Sequence, residues 1–215
     1  MRSRVEAGYT RPIRLVFSGR FHPMKGVDHL PAVAEALERR GVPFELHLFG
    51  GGELDEVIRA RVSERGLSSR VAFHGSVDFA TELVPWLREH ADLFVCCHRQ
   101  GDPSCTYLET LACGVPIAGY ANEAWRGMLR EAPGIGVATP MNDVEALATA
   151  IARLAASPEA LLEASINALG FAKKHLFEST FARRIAQLRR LAEEAERDRF
   201  DGRAADPREA TAASS

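Results

Sequence analysis

Two cations, one glutamate and a set of glycine-bounded loops are the residues of this 215-residue chain whose types and spacing could do chemistry. Arg20 and Lys25 stand five apart in the loop Gly19-Arg20-Phe21-His22-Pro23-Met24-Lys25-Gly26. Cations so placed can clamp a diphosphate and stabilise the negative charge that grows as it departs. Two solvated surface bases would show the same spacing. Lys25 stands out because the other lysines, Lys173 and Lys174, come far later. The stretch from Gly101 to Gly119 reads GDPSCTYLETLACGVPIAG. Its polar turn feeds a helix start at Ser104–Thr106, where backbone N–H groups can hold phosphate oxygens. The Ser104 and Thr106 hydroxyls can add donors or simply cap the helix. Glu109 lies one turn further in. Its carboxylate can accept both hydroxyls of a ribose, or it can offset the positive end of the helix dipole.

Other chemistries are poorly supported. GRFHPMKG lacks the Lys-Ser/Thr ending of a P-loop, and FGGGEL lacks the GxGxxG spacing of a dinucleotide fingerprint. HExxH and GxSxG are absent, and the histidines show no metal-ligand spacing. His22 and His98 fall on loops at the expected crevice, where either could touch a sugar. Cys96, Cys97, Cys105 and Cys113 form no zinc or disulfide framework and read as small buried hydrophobes. The net charge of −2, with both signs mixed, argues against a general nucleic-acid binder. No run of 18 apolar residues occurs, and the start MRSRVEAGYT has no apolar leader. The expected location is cytoplasmic, with peripheral membrane contact left open.

The elements that would position these residues alternate. Apolar runs at 13–18, 44–49, 71–74, 91–97, 115–119 and 135–138 read as strands, with 91–97 the most apolar and central. Helical periodicity predicts helices at 27–40, 53–65, 81–89, 122–130, 144–156, 158–175 and 180–196, besides the one carrying Glu109. Gly41, Gly66 and Gly114 stop helices, while Asp143 and Ser179 are candidate N-caps. The fold class is α/β, a doubly wound Rossmann-like parallel sheet with extra C-terminal helices. Ligands gather outside the carboxyl ends of such strands, where the loops 19–26, 50–53, 74–78, 98–104 and 119–123 fall. Residues 1–12 read as a lead-in, 13–175 as the main domain, 176–198 as a separate C-terminal helix and 199–215 as disordered.

Four segments, SGRFHPMKG, GGGEL, VAFHGSV and ADLFVCCHRQGDPSCTYLETLACGVPIAG, together resemble the C-terminal, nucleotide-sugar-binding half of retaining glycosyltransferases with the two-domain GT-B fold, family 4 or group 1 type. The resemblance spans about residues 13–195. It implies retaining transfer of a hexosyl group from a UDP-, GDP- or ADP-sugar to an acceptor hydroxyl, without metal or other cofactor. It implies that Arg20 and Lys25 bind the donor diphosphate within a loop opened by Gly19, beside a second glycine loop at Gly51. Gly75, Ser76 and Val77 would meet the base, Glu109 the ribose, and Ser104, Cys105 and Thr106 the distal phosphate. The family's first glutamate, which contacts the donor sugar, falls at Gly101 here, so either Asp102 substitutes through a shifted turn or sugar contact is altered. An N-terminal acceptor domain is also expected, either as a separate polypeptide or as a part of a longer chain from which this one is truncated, with the terminal helix packing on it; self-association is the other way to cover that helix. Without such a domain the chain would be a catalytically silent nucleotide-sugar-binding or structural module. An epimerase of similar architecture fits the ADLFV…E…ACGVPI arrangement less well.

Overall fold

Short apolar runs bounded by glycine or proline are too brief for buried helices and pair instead as strands. The computed structural model describes residues 12–101 and 105–204. In it, β1 (Ile13–Ser18), β2 (Phe44–Phe49), β3 (Val71–Gly75), β4 (Leu93–Cys96), β5 (Ile117–Tyr120) and β6 (Gly136–Thr139) form one sheet in the order β3-β2-β1-β4-β5-β6. Every pairing is parallel. The crossovers carry α1 (Leu30–Arg39), α2 (Asp55–Glu64), α3 (Val84–His90), α4 (Cys105–Ala112) and α5 (Glu123–Glu131), and α6 (Val144–Ala155) and α7 (Pro158–Lys174) follow β6. This is the doubly wound order, with its reversal between β1 and β4. Burial tracks it: all four residues of β4 and of β5 are buried, whereas β3 and β6, at the edges, are partly open. The chain divides into two compact units at Lys173–Lys174, the second holding α8 (Phe177–Ala204).

Several boundaries differ from the sequence reading, and four of the differences have a local reason. β4 starts at Leu93 because Asp92, fully buried, extends the ladder with its side chain. Its carboxylate accepts the Arg14 N–H at 2.9 Å while its own N–H donates to the Arg14 carbonyl, also at 2.9 Å. The helix expected from Val27 begins instead as two 3-10 turns, Pro23–Lys25 and Val27–His29, on either side of Gly26. The helix expected from Thr81 starts as a wider turn at Phe79, capped by Asp78, whose Oδ1 accepts the N–H groups of Ala80 (3.0 Å) and Thr81 (2.8 Å). Glu82 reaches back to the Asp78 N–H at 3.3 Å, completing a reciprocal cap. Finally, α8 runs to Ala204, so residues 199–204 are helical rather than disordered; residues 205–215 lie outside the described residues. Ser179 sits inside this helix and does not cap it, since Thr180 already donates to the Leu176 carbonyl at 2.9 Å. Alanine, arginine and glutamate dominate 182–197, and their high helix propensity sustains the run.

The expected cap at Asp143 is present, its Oδ1 accepting from the Ala146 N–H at 2.8 Å. The glycine stops at Gly41, Gly66 and Gly114 are present too, with φ of 66°, 67° and 74°. The residue after each donates back to the carbonyl five residues earlier, as Leu67 does to that of Val62 at 3.0 Å. Gly26 shares this left-handed backbone, with φ 61°, but its surroundings differ. A Cβ there would lie 2.0 Å from the Cys97 carbonyl oxygen, whereas one at Gly66 would meet nothing within 4 Å. The two substitutions separate backbone strain from collision. Gly66→Ala is expected to cost about 1–2 kcal/mol, the ordinary left-handed penalty. Gly26→Ala is expected to cost roughly 3 kcal/mol or more, because the β1 and β4 exits must also part. Urea-unfolding midpoints of the two variants check the difference.

Candidate functional site

The loops at the strand exits are stitched to each other by backbone hydrogen bonds. Gly19 donates to the Phe49 carbonyl (3.0 Å), Phe21 to that of Gly51 (2.9 Å), Leu54 to that of Phe21 (3.1 Å) and Gly50 to that of Gly75 (2.7 Å). Glycine at such exits lets the backbone approach a ligand or take positive φ, and Gly19 and Gly50 do the latter, with φ of 148° and 121°. Gly50 is also required by its neighbour, since a Cβ on it would lie 2.0 Å from the Gly19 carbonyl oxygen. Loop-on-loop packing thus fixes the exits of β1, β2 and β3 as one ledge.

A pocket of about 460 Å³ opens at this ledge, lined by Gly19, Arg20, His22, Met24, Lys25, Gln100 and Thr106. It lies where the β1 exit faces the β4 exit and the first turn of α4, the reversal point at which ligands of doubly wound sheets gather. Gly19, Arg20, Lys25 and Thr106 therefore share one cavity. Arg20 is exposed and Lys25 half-buried. His22 lines the wall and is already committed: its Nδ1 accepts the Met24 N–H at 3.1 Å, capping the Pro23–Lys25 turn. Asp102 and Ser104 lie outside the described residues.

Glu109 stands three residues beyond Thr106 on α4 and so projects from the same side of that helix, one turn away. It is half-buried, and burial raises its carboxyl above the usual value. The α4 helix begins at Cys105 and has no acid in its first turn, so Glu109 belongs to the second turn. Offsetting the helix dipole, which acts within the first turn, does not account for it. Cys105 is exposed, at the first position of α4, contrary to the expectation of burial; Cys96 and Cys97 are buried and Cys113 is half-buried. Gly51, Gly75, Ser76 and Val77 lie at the exits of β2 and β3, farther along the ledge and not on the pocket wall.

His98, expected at the crevice, is only 2% exposed and cannot reach a sugar from the solvent side. Its ring packs against Phe17 and Tyr107. Burial, with the Lys25 charge nearby, pushes its pKa down to about 3, so the imidazole is neutral at physiological pH. The sequence reading missed three residues. Asn122, 4% exposed, donates to the Tyr107 hydroxyl (2.7 Å) and to the His98 carbonyl (3.2 Å), and its Oδ1 accepts the Trp125 N–H (2.9 Å). One amide thereby ties the β4 exit, α4 and α5 together. Its only sequence signal was that of an N-cap. Arg99 bonds across three loops and carried no signal. Glu123, in the first turn of α5, brings its carboxylate to 3.4 Å from where a side chain on Gly101 would begin.

Among the described residues no cluster of histidine, cysteine and acids is arranged to hold a metal ion, and no helix is long and apolar enough to cross a membrane.

Comparison with known proteins places the chain. It is 32% identical over 183 residues to the GDP-mannose-dependent alpha-(1-6)-phosphatidylinositol monomannoside mannosyltransferase of Mycolicibacterium smegmatis, a match covering 81% of this chain and 45% of that protein. Sucrose-phosphate synthase from Thermosynechococcus elongatus superposes with a TM-score of 0.72 at 25% identity, covering 90% of this chain and 48% of that one. HepE from Anabaena, solved in complex with UDP, superposes with a TM-score of 0.70 at 21% identity, covering 87% of this chain and 51% of that one. The chain thus spans about half the length of these relatives, and the fold is that of a GT-B C-terminal domain. The family model described as glycosyl transferases group 1 matches residues 3–169. The chain belongs to the group 1 glycosyltransferase family.

Proposed function

We propose that this chain is the donor-binding half of a retaining glycosyltransferase that moves a hexosyl group from a nucleoside-diphosphate sugar to an acceptor hydroxyl. The observation that carries the proposal is the convergence of Arg20, Lys25 and the first turn of α4 on one pocket at the sheet's reversal point. The relatives' names supply the donor class: GDP-mannose for the mannosyltransferase and UDP for the HepE complex. In the proposed reaction the bond between the anomeric carbon and the β-phosphate oxygen breaks, the electron pair leaves with the diphosphate, and the acceptor oxygen bonds to the anomeric carbon while its proton passes to the departing phosphate. Arg20 and Lys25 stabilise that charge as it develops, and N–H groups around Cys105 and Thr106 receive the phosphate oxygens. Glu109 accepts the ribose hydroxyls, and backbone around Gly75, Ser76 and Val77 meets the base at the far end of the ledge. Asp102 and Glu123 are the two acids beside Gly101 that can take the sugar side of the donor.

The main domain, residues 13–175, would carry the donor, and the helix at 176–198 would meet the acceptor-binding half. That helix exposes Phe181, Ile185, Leu188 and Leu191. Transfer is then expected only with an acceptor-binding domain present. A nucleotide-sugar-binding module without transfer is the second reading, favoured by Gly101 standing where the family carries an acid.

Calorimetric titration with UDP, GDP and ADP tests the donor assignment. One of them is expected to bind, and Lys25→Ala is expected to weaken it roughly ten- to hundredfold, the value of a charge-assisted bond of about 1.5–3 kcal/mol. No binding by any of the three at millimolar concentration would overturn the assignment. Recombination with a group 1 acceptor-binding domain and a sugar donor then separates an enzyme from a silent module.

Glu109→Gln distinguishes a binding carboxylate from a structural one. The folded-state pKa of Glu109 is raised by burial. Relative to the unfolded chain, ionised Glu109 therefore disfavours the fold, and stability falls as pH rises from the ordinary carboxyl value through the raised one. Glu109→Gln is expected to leave the melting temperature at pH 7 unchanged or higher, while nucleotide affinity drops about tenfold through lost ribose bonds. A lower melting temperature with unaltered affinity would contradict the ribose role. Nucleotide affinity of the native chain should also fall on acidification at a pH above that of an ordinary glutamate.

A further inference from the structure

Resting on the donor-pocket reading above, we infer that Arg99 is a positioning residue that holds Lys25 in the pocket by strapping down the Pro23–Lys25 turn. That turn is one short 3-10 turn outside the sheet. Its internal bonds are few: Lys25 donates to the His22 carbonyl and Gly26 to the Pro23 carbonyl, each at 2.9 Å. Nothing in the ladder of β1 or β2 reaches it. Arg99, on the β4 exit loop, does. Its backbone N–H donates to the Met24 carbonyl at 3.0 Å and its NH1 to the Pro23 carbonyl at 2.8 Å.

The rest of the guanidinium is spent on the surroundings of the same turn. NH2 meets the Asp28 carboxylate at 3.0 Å and the His29 Nε2 at 2.7 Å, both on the Val27–His29 turn, and Nε donates to the Asn142 Oδ1 at 3.2 Å. His29 must accept from Arg99, so its Nε2 carries no proton and its Nδ1–H faces the Tyr120 hydroxyl at 2.8 Å. The other oxygen of Asp28 is buried and has no partner among the described residues, so Arg99 carries the ion pairing of that carboxylate. A planar fork with separate donors can span two turns and a loop at once; a lysine ammonium, a single point with three donors, cannot.

Arg99 does not line the pocket, whereas Lys25, in the strapped turn, does. Its effect on a ligand must therefore pass through the turn. Gly26 presses against the Cys97 carbonyl and fixes one end of the turn; Arg99 fixes the other. A preorganised lysine binds an anion without first losing its freedom, a saving of about two- to tenfold in affinity per immobilised side chain.

A double-mutant cycle tests this, with UDP, GDP or ADP as the calorimetric probe, whichever binds the native chain. Arg99→Met is expected to weaken binding two- to tenfold in the native background and less than twofold in the Lys25→Ala background. Amide hydrogen exchange at Lys25 and Gly26 is expected to accelerate about tenfold or more in Arg99→Met, with little change in the β1 and β4 amides. Equal losses in both backgrounds, no loss in either, or unaltered exchange at Lys25 would overturn the inference. Should Arg99→Met fold poorly, Asp28→Asn, which removes the ion pair and keeps an acceptor, is expected to give the same pattern with a smaller amplitude. A native chain that binds none of UDP, GDP and ADP would sink the donor-pocket reading alone, because the exchange measurement still decides whether Arg99 holds the turn.

Discussion

The β1 exit loop folds back onto the β4 exit at Gly26, where any side chain would collide with the Cys97 carbonyl. The rest of the site depends on that contact. The two strands are neighbours in the sheet, but their crossovers leave in opposite senses, which opens a crevice between their carboxyl ends. Close backbone contact across the crevice turns it into a walled pocket with Lys25 on one side and the start of α4 on the other. Asn122 braces the far wall from β5's end, and the bonds among the β1, β2 and β3 exits brace the near one. Arg20 and Lys25, which in a free loop would be two solvated bases, thus line one pocket with Thr106 of the first turn of α4.

Burial around this pocket removes competing chemistry as well as shaping it. His98 is forced neutral and adds no positive charge of its own, and Cys96 is pushed up to about 11 by desolvation, so it supplies no thiolate to pair with Lys25. Glu109 goes the other way functionally. It is held in a half-buried place on the second turn of α4, where its charge opposes folding and no cation of the described structure is the cause of its shift. Carboxylates kept at a cost to stability mark functional positions more often than structural ones.

Much of this was legible in the sequence because it is written in local rules. The alternation of short apolar runs with helical periodicity gave the six strands and their crossovers, and Gly41, Gly66 and Gly114 stop helices where their spacing predicted. The strand exits could then be named, and Gly19, Arg20, Lys25 and Thr106 do share one pocket. What escaped was non-local. Nothing local in the sequence shows that the lack of a side chain at Gly50 answers to the Gly19 carbonyl. His98 looked like a crevice residue because its loop is one, yet its ring turns inward between Phe17 and Tyr107. Arg99, one arginine among many in an arginine-rich chain, has no local pattern that distinguishes it. Its partners lie about 70 residues away or more for Asp28, His29 and Pro23, and 43 away for Asn142. The α-helix α1 starts at Leu30 rather than Val27 because the apolar periodicity that begins at Val27 runs through Val27–His29, which winds as a 3-10 turn.

The central claim is that the β1–β4 crevice is a nucleoside-diphosphate site. A crystal structure of the chain soaked with UDP or GDP tests it most directly. The account predicts diphosphate density within hydrogen-bond reach of the Lys25 Nζ and the α4 first-turn N–H groups, with the ribose hydroxyls on the Glu109 carboxylate. Density for the nucleotide at another surface, with the Lys25 pocket filled only by solvent, would contradict it.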